Sequence, residues 1–445
     1  MIDYMEKVLR SFELRTGWNR DNSYENIMAT SENLLNFDIP TGLKCQVSNR
    51  STGNTYSTFE LSNNKVINGS LAYIYTNCEG LDKYLSSSRE TLLQDASESY
   101  RQITPPHQYR YSRKGFESTS LWHGRMYYPS STLEAMVVKR LNPETQLVAK
   151  CLSSLAHTSV LTLYLQKDSG RNCQEWIASS NEGLLGYRIL HNFTGSQSKL
   201  NTSLYNNSSL SLGAEMWFGV LNTSPACSTT LRYCTHSANT GRPLTLTLSW
   251  NPLFGHVSST YSVKTSSGAT ISSKYDFNLY SIESNLSFGC DVWRSGVQDI
   301  KLKKEDSAKP ASPPSIERKA GYPDDKLMFY HLMAGSSNSQ KLLDDLNVTF
   351  APSLHKIHQE RSNIENYESS LREANFTSVW RLSTSLRDRN LKVLWEGKYK
   401  EFLISAGTEL TNTPLDVPTN SIQESKTSNG FLRPAKFGVQ LQYSM

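Results

Sequence analysis

Apolar and polar residues alternate along much of the chain, and residues 242–265 show the pattern clearly. Leu244, Leu246, Leu248 and Trp250 alternate there with threonine and serine, and a polar alternation resumes after a short break. Side chains two residues apart lie on the same face of a β-strand. The segment is therefore predicted to be a β-hairpin with one apolar and one polar face. The apolar face contacts either a protein core or lipid.

Segments with the same period recur through the chain, and the clearest are residues 67–75, 161–165, 210–220, 282–290, 376–386 and 437–443. Three regions lack the period. Residues 1–35 begin with an apolar stripe at helical spacing, and residues 81–118 are polar with a short helix predicted at 92–100. Residues 294–373 begin as a Lys/Pro/Ser-rich loop and end in a second helical stripe.

The part of the chain outside these three regions, about 290 residues, sets the expected number of strands. A membrane-spanning strand of about 10 residues and a connection of about 5 together use about 15 residues. The expected number is therefore about 19 strands, to within about two. Residues 1–35 are predicted to form a helical segment, and residues 36–445 to form a barrel with insertions at about 81–118 and 294–373.

The composition of the chain indicates whether the apolar faces of the strands contact lipid or a soluble protein core. The hydrophobic fraction is 37% and the mean hydropathy is −0.50, and no apolar run approaches the ~18 residues of a spanning helix. The polar faces carry mainly Ser, Thr, Asn and Gly, which suits a wet lumen, while Trp and Tyr lie near segment ends as in membrane girdles. The predicted fold is an all-β membrane protein, a single transmembrane β-barrel; the alternative is a large soluble β protein.

For the hairpin at 242–265, this fold places the leucines against acyl chains and Trp250 at headgroup level. Thr245, Thr247, His256 and Thr260 then face the lumen. Release of the protein by alkaline carbonate would contradict the membrane assignment.

The N-terminal sequence, the cysteines and the net charge argue against several locations and partners. MIDYMEKVLR has no basic region followed by an apolar one, so no secretory signal is predicted, and Asp3 and Glu6 argue against a matrix transit peptide. Seven cysteines without CxxC pairs indicate neither a disulfide framework nor a zinc site. A net charge of +5 is small for 445 residues, so no nucleic-acid partner is predicted.

The C-terminal residues KFGVQLQY carry a second pattern. Lys436, Gly438, Leu441 and Tyr443 follow the order polar, glycine, apolar, apolar, which is similar to the assembly signal of mitochondrial outer-membrane β-barrels. A last strand with an open edge pairs with the edge of an insertion machine, and a glycine permits close approach of another backbone. The alternative is an ordinary amphipathic last strand.

Longer stretches of the chain resemble the fungal mitochondrial distribution and morphology protein 10 family. They are LQDASESYRQ (93–102), GRMYYPSS (124–131), SLYNNSSLSLGAE (203–215), NTGRPLTLTLSWNPLFGH (239–256), KYDFNLYSIESNLSFGC (274–290), TSVWRLSTSLRD (377–388), LWEGK (394–398) and FLISAGTEL (402–410). The resemblance covers essentially the whole chain except the loop at about 300–322. It implies a barrel of about 19 strands related to mitochondrial porin and the protein-import pore.

The resemblance also implies two roles in the mitochondrial outer membrane, with membrane lipids around the barrel and no cofactor. One is the anchor of the ER–mitochondria encounter structure, beside lipid-transfer subunits with SMP domains and the ER-anchored morphology-maintenance subunit. The other is an accessory subunit of the sorting and assembly machinery, beside its central barrel and small import-complex subunits. Phospholipid exchange, mitochondrial morphology and inheritance, and biogenesis of the import pore are the expected outcomes.

Two aromatic pairs are the candidate partner-binding residues. Tyr73 and Tyr75 lie on one face of a strand, and the resemblance assigns them to the tether side. Tyr275 and Phe277 lie in KYDFNLY, and the resemblance assigns them to the assembly-machinery side. Aromatic side chains bury a large area in protein interfaces, although the same residues form lipid-facing girdles. Two separate patches would sort the barrel between its two complexes.

Other candidate sites are weaker, and no enzymatic activity is predicted. The chain has no GxSxG, GxxxxGK[ST] or HExxH motif. His355 and His358 lie near Glu360 in the predicted helix 354–371, but a metal site needs further ligands. That helix packs either on its own barrel or on a partner, and the N-terminal helix is predicted to lie against the lumen wall. The functional alternative is a porin-like channel for metabolites or polypeptides, although charges on the polar faces look sparse: Lys44, Arg232, Glu283, Arg381.

Overall fold

The computed structural model describes residues 1–445 except 65, 82–83, 102, 104–117, 155–158, 194–207, 236–241, 267, 296–375 and 412–432. Nineteen strands form one closed sheet. They are β1 (Gly42–Thr52), β2 (Thr55–Asn64), β3 (Val66–Thr76), β4 (Ser120–Tyr128), β5 (Leu133–Asn142), β6 (Thr145–Ser153), β7 (Val160–Asp168), β8 (Asn172–Ser179), β9 (Leu184–Phe193), β10 (Ser208–Gly219), β11 (Ser224–Thr235), β12 (Leu244–Asn251), β13 (His256–Ser266), β14 (Ala269–Asn278), β15 (Glu283–Ser295), β16 (Phe376–Ser385), β17 (Asn390–Tyr399), β18 (Phe402–Thr411) and β19 (Arg433–Ser444). The described helices are α1 (Tyr4–Thr16), α2 (Ala29–Leu35) and α3 (Leu93–Ala96).

Each strand pairs antiparallel with the next, and β1 pairs parallel with β19 to close the barrel. An odd number of up-and-down strands requires this parallel pair, because the first and last strands then run in the same direction. The predicted barrel of about 19 strands is confirmed. Within the described residues, no helix is both long and apolar enough to cross a membrane.

The two ends of the barrel differ. Connections that follow odd-numbered strands lie at one end, called here the loop end, which carries the long connections 77–119 and 296–375. Connections that follow even-numbered strands lie at the other end, called the hairpin end. Four neighbouring turns there, from β10–β11 to β16–β17, have only four residues each.

The wall has the two faces that the alternation predicts. On β12, Leu246, Leu248 and Trp250 are exposed on the outside, while Thr245 and Thr247 are buried on the lumen side. Across the hairpin, Thr260 is buried and its hydroxyl bonds that of Thr247. The outward apolar band is the surface that a membrane barrel presents to lipid.

The lumen is occupied by the chain before β1. Helix α1 begins at its N-cap Asp3, whose carboxylate accepts a hydrogen bond from the Met5 amide, and ends at Gly17 with φ +70°. Its apolar stripe packs on the inner wall, where the cluster includes Val8, Phe12, Tyr56, Ile74 and Leu121. The N-terminal helix therefore lies against the lumen wall, as its stripe predicts.

Residues after β3 also enter the lumen. The short helix predicted at 92–100 is a single turn, α3, whose Leu93 and Ala96 pack on the inner wall beside Leu403. Earlier in the same segment, the Ser88 hydroxyl donates to the Ser444 carbonyl at 3.1 Å. The described residues of 77–101, which are 77–81 and 84–101, together with residues 1–41 make up the internal segments.

Candidate functional sites

Tyr73 and Tyr75 project outward from β3 near the loop end. Both are half-exposed, and Tyr75 lies one residue before the last residue of the strand. In the ladder, Tyr75 pairs with Trp122 of β4, which is also exposed. The three rings form an aromatic surface at one level of the barrel, suited both to the membrane interface and to a protein contact.

Tyr275 and Phe277 project outward from β14 near the hairpin end. Tyr275 is half-exposed, and Phe277 lies one residue before the end of the strand. Phe277 pairs with Val257, which in turn pairs with the exposed Trp250. This second aromatic surface continues across three strands at one level.

The two pairs are far apart in two respects. Strands β3 and β14 are eleven strands apart in one direction around the barrel and eight in the other, so they lie on nearly opposite sides. The pairs also lie near opposite ends. One compact partner does not reach both surfaces, and two different partners can bind together without contacting each other.

The C-terminal pattern forms the seam of the barrel. Gly438 is paired with Gly42 in the parallel ladder, and a Cβ atom there would lie 2.5 Å from the carbonyl oxygen of Gly42 and similarly close to that of Pro40. The Lys436 amine lies 3.4 Å from Glu409 on β18. The Tyr443 ring contacts Phe402 with a centroid distance of 5.5 Å, and Leu441 pairs with Cys45 and Ile404.

The lumen wall carries more charge than its sequence pattern suggested, and Glu283 lies at the rim of the luminal face, at the start of β15. Glu283 lies at the hairpin end and pairs with Arg387 at 2.7 Å. Arg188 of β9 lies 3.2 Å from Glu175 and 3.4 Å from Glu215, both on neighbouring strands. The expectation of a sparsely charged lumen was wrong. Charges on adjacent strands pair with and neutralise one another, so the wall can bury more of them than the pattern of any single strand suggests.

Wall charges also hold the internal segments. Arg125 pairs with Asp3 at the start of α1, and the Asn22 amide donates to Asp168 at 2.6 Å. The Arg140 guanidinium lies over the Trp18 ring at 4.5 Å. Charges that would face water in an open channel are engaged by the protein itself.

One group of buried charges joins both internal segments to the wall, and we call Asp291, Arg381 and Glu396 the luminal triad. Arg381 lies 3.4 Å from Asp291 and 4.0 Å from Glu396, and all three are buried. Arg381 also donates to the Asn33 carbonyl in α2 and lies over the Phe37 ring at 4.8 Å.

Glu396 completes the attachment. It accepts a hydrogen bond from the Ser97 hydroxyl and contacts the Met1 amine at 2.5 Å. The sequence signal for the triad is three mid-strand charges on the polar faces of β15, β16 and β17, and of these only Arg381 was identified from the pattern.

Glu13 in α1 makes the docking of this helix sensitive to pH. Burial raises the pKa of its carboxyl to about 7, although Arg20 at 3.7 Å opposes the shift. Because the folded pKa lies above the ordinary glutamate value of 4.5, the stability that Glu13 contributes is fully present below about pH 4.5 and is lost as the pH rises through 7.

The expected result is a free energy of unfolding that falls by about 2 kcal/mol between pH 5 and pH 7.5 at this group. Glu13→Gln removes that part of the slope, measured by urea unfolding of the refolded barrel in detergent. The window avoids Lys7, whose pKa burial lowers to about 8. Glu90→Gln, an exposed carboxyl, is the control and keeps the wild-type slope; equal slopes for Glu13→Gln and wild type would contradict the assignment.

The remaining candidates give no chemical site. Among the described residues, no group of three or more His, Cys, Asp or Glu side chains is placed to hold a metal ion. None of the seven cysteines, all of which lie in the described part of the chain, forms a disulfide. The pair His355 and His358, with the helix predicted at 354–371, lies outside the described residues.

Comparison with known proteins shows the family of this chain. The family model described as mitochondrial distribution and morphology protein 10 matches residues 1–445. Relatives with that name are 69% identical in Lachancea thermotolerans, 52% in Kluyveromyces lactis and 49% in Saccharomyces cerevisiae (strain S288c). In each comparison the alignment covers 100% of both chains.

Proposed function

Because the chain belongs to the mitochondrial distribution and morphology protein 10 family, it is a mitochondrial β-barrel protein that acts in mitochondrial distribution and morphology. We propose that it spans the outer membrane and has two roles there. In one it anchors the ER–mitochondria encounter structure for phospholipid exchange. In the other it is an accessory subunit of the sorting and assembly machinery for β-barrel and import-pore biogenesis.

The observation that carries the proposal is the separation of the two aromatic pairs. Tyr73 and Tyr75 lie near the loop end, and Tyr275 and Phe277 near the hairpin end on the far side of the barrel. A protein with two partner complexes needs two contact surfaces that can be lost independently. Tyrosine is among the residues that dominate such contacts, and phenylalanine is enriched in them.

The partners divide between the two ends. At the tether side, Tyr73 and Tyr75 bind the SMP-domain lipid-transfer subunits together with the ER-anchored morphology-maintenance subunit. At the assembly side, Tyr275 and Phe277 bind the central barrel of the sorting and assembly machinery and its small import-complex partners. The C-terminal signal from Lys436 to Tyr443 delivers the newly made chain to the same machinery.

The state of the lumen favours a scaffold over a conducting channel. Residues 1–41 and 77–101 are held inside the barrel by hydrogen bonds and ion pairs to the wall. A metabolite channel requires charged groups that face mobile ions. Here the luminal triad and Arg125 bind the internal segments instead. The proposed roles need only the outer surface of the barrel and involve no catalysis.

Separate loss of the two complexes is the expected result of replacing each aromatic pair. Tyr73→Ala with Tyr75→Ala lowers the amount of barrel in the tethering complex by at least about tenfold, because interface aromatics each contribute on the order of 2 kcal/mol. Tyr275→Ala with Phe277→Ala lowers only the assembly-machinery complex. Native electrophoresis of digitonin-solubilised mitochondria measures both.

Trp122→Ala is the matched control. Trp122 is also an outward-facing aromatic residue and pairs with Tyr75, but the proposal assigns it to no partner. It leaves the assembly-machinery complex unchanged and tests how far the tether surface extends. Equal loss of both complexes from either double variant would contradict the division of partners.

A further inference from the structure

The hairpin end carries an unusual row of apolar turns. Three neighbouring turns, β10–β11, β12–β13 and β14–β15, place six large apolar side chains at their tips, with exposed fractions between 47% and 79%. We call this surface the apolar ledge; its residues are Leu221, Leu253, Phe254, Leu279, Tyr280 and Ile282. Turns at the loop end are polar, for example Ser169–Arg171 written SGR and Lys400–Glu401 written KE.

Lipid hydrocarbon does not account for the ledge. Strand β14 has ten residues, which at about 3.3 Å each and a tilt of about 40° span about 25 Å, the height of the apolar band of a membrane barrel. Residues 279–282 follow β14 and therefore lie beyond that band, at the level of the headgroups.

Turn geometry does not account for it either. Ile282 has φ +56°, a left-handed conformation that asparagine or glycine adopts at lower cost. A β-branched residue at this position is strained, and its side chain is 79% exposed, so it gains little from its own fold. A contact outside the chain explains why a large apolar residue stands there.

Two of the three turns of the ledge are fixed to each other. The Leu279 amide donates to the Gly255 carbonyl at 2.7 Å, which joins the β12–β13 and β14–β15 turns. The Tyr280 hydroxyl donates to the Pro252 carbonyl at 3.1 Å. A surface that is ordered before binding loses little conformational entropy when a partner covers it.

Charge identifies the kind of partner. The three turns, written VLNT (220–223), PLFG (252–255) and LYSI (279–282), contain no charged residue. Surfaces that bind anionic headgroups carry clusters of lysine and arginine, whereas the centres of protein interfaces are depleted of charge and enriched in aromatics. At the nearest edge, Arg387 and Glu283 neutralise each other at 2.7 Å.

The ledge also continues into the surface at Tyr275 and Phe277. Phe277 and Leu279 are two residues apart on β14 and its turn, so the aromatic pair leads directly into the tip. Side chains of this size that are half exposed or more offer roughly 100 Å² each, and Phe277, which is only partly exposed, offers less. The pair and the six tip residues together offer on the order of 800 Å², the share of one partner in an interface of standard size.

We infer that the apolar ledge and the Tyr275–Phe277 pair form one composite docking surface for a membrane-integrated protein. The partner presents an uncharged apolar surface that extends from the acyl region to headgroup level. The inference rests on the proposed assembly-side role of Tyr275 and Phe277 and extends that contact from the side of the barrel onto its rim.

The test replaces Leu221→Ser, Phe254→Ser and Ile282→Asn together in the full-length chain. The expected result is a loss of the assembly-machinery complex of at least about tenfold on native gels, with the tethering complex unchanged. The control changes three exposed apolar residues at the same end of the barrel but outside the ledge, Val66→Ser, Ile67→Ser and Leu133→Ser, with exposed fractions of 49–61%. It keeps both complexes.

Folding and binding are separated by two further measurements. Ile282→Asn alone relieves strain, so its barrel withstands at least as much urea as wild type while its assembly-machinery complex weakens. A photoreactive benzoyl-phenylalanine at position 254 forms an adduct with a membrane subunit of that complex, and Tyr275→Ala with Phe277→Ala abolishes the adduct.

Two outcomes overturn the inference: the triple variant retains its complex, or position 254 labels only lipid. The aromatic pair is judged separately in the same gels. If Tyr275→Ala with Phe277→Ala loses the complex while the triple variant keeps it, only the ledge is wrong. If the aromatic double variant keeps the complex, the proposed role of the pair is wrong as well.

Discussion

Gly438→Ala is expected to prevent closure of the barrel. A Cβ atom at this position would lie 2.5 Å from the Gly42 carbonyl oxygen and 2.7 Å from the Gly42 amide nitrogen. Both are backbone atoms, so no side chain can move aside. The parallel ladder runs from the pair Gly42–Gly438 to the pair Ser48–Ser444. The clash would therefore occur at its first pair. Overpacking costs about 1–3 kcal/mol where neighbours can shift, and the cost here lies at the upper end because the neighbours are backbone atoms.

The matched control is Gly124→Ala on β4, another strand glycine, where an added Cβ meets no atom within 4 Å. The measurement is refolding from urea into detergent micelles, followed by gel mobility with and without heating. Gly124→Ala refolds like wild type, and Gly438→Ala yields little of the compact form.

Import of the two variants into isolated mitochondria then separates two functions of the same glycine. A Gly438→Ala chain that refolds normally in detergent but fails to assemble after import would show that the glycine serves recognition only. In that case the steric explanation is wrong. Failure in both assays supports the steric role of Gly438 at the β1–β19 pair. The C-terminal assembly signal then overlaps with a structural requirement of the closed sheet.

The wall of the barrel was predictable because period two is a local property. Leu246, Thr247 and Leu248 define two faces within three residues, and the ladder adds no information to that assignment. The number of strands followed from the chain length, because each strand must cross the same thickness. Neither inference needs long-range contacts.

The filled lumen was harder to predict because its contacts are distant in sequence. Asp291, Arg381 and Glu396 lie on three strands, and the group they hold includes Asn33 and Ser97. Nothing in the periodicity of any one strand connects these positions. The polar faces could therefore be assigned to the inside without showing that protein rather than water covers them.

One local signal for the internal contacts was nevertheless present. The stretch LAYIY at 71–75 is apolar on both faces, and strands buried on both faces have this composition. Tyr73 and Tyr75 face outward, while Ala72 and Ile74 pack against α1 in the lumen. Apolar residues on both faces of a barrel strand indicate a packed interior, and the apolar stripe of residues 1–12 supplies the element that covers it.

The apolar ledge escaped prediction for a different reason. Its residues lie in turns, outside the alternating pattern, and each turn by itself holds only two or three large apolar residues. Topology brings three turns together at one end, because every second connection lies on the same side of the barrel. The sequence identified Tyr275 and Phe277 but not the surface that they adjoin.

Arg381→Ala is expected to release the internal segments from the wall. The substitution leaves the buried carboxylate of Asp291 without the Arg381 guanidinium, while Glu396 keeps its contact with the Met1 amine at 2.5 Å. An uncompensated buried charge costs about 3–5 kcal/mol. It also removes the hydrogen bond to the Asn33 carbonyl. Urea unfolding of the refolded barrel measures the loss of stability.

Arg387→Ala is the matched control, since this arginine lies only six residues away and also forms an ion pair, with Glu283 at 2.7 Å. That pair is half-exposed at the hairpin end, where solvent screens it, so its removal costs at most about 1 kcal/mol. The difference between the two variants isolates the effect of burial. The double variant Asp291→Ala with Arg381→Ala costs less stability than the sum of the two single changes. Each single change leaves the other charge of the pair buried without its partner, and the double change removes both charges.

Planar bilayers show whether the luminal triad also keeps the pore closed. Wild-type barrel is expected to pass little current, because its wall charges hold residues 1–41 and 77–101 inside. Arg381→Ala opens intermittently, and protease added to the bilayer-inserted protein then cleaves within residues 1–41. Large steady conductance from wild-type barrel would contradict the filled lumen and favour a channel. A silent wild type with an open Arg381→Ala shows that the scaffold is a pore held shut by its own chain.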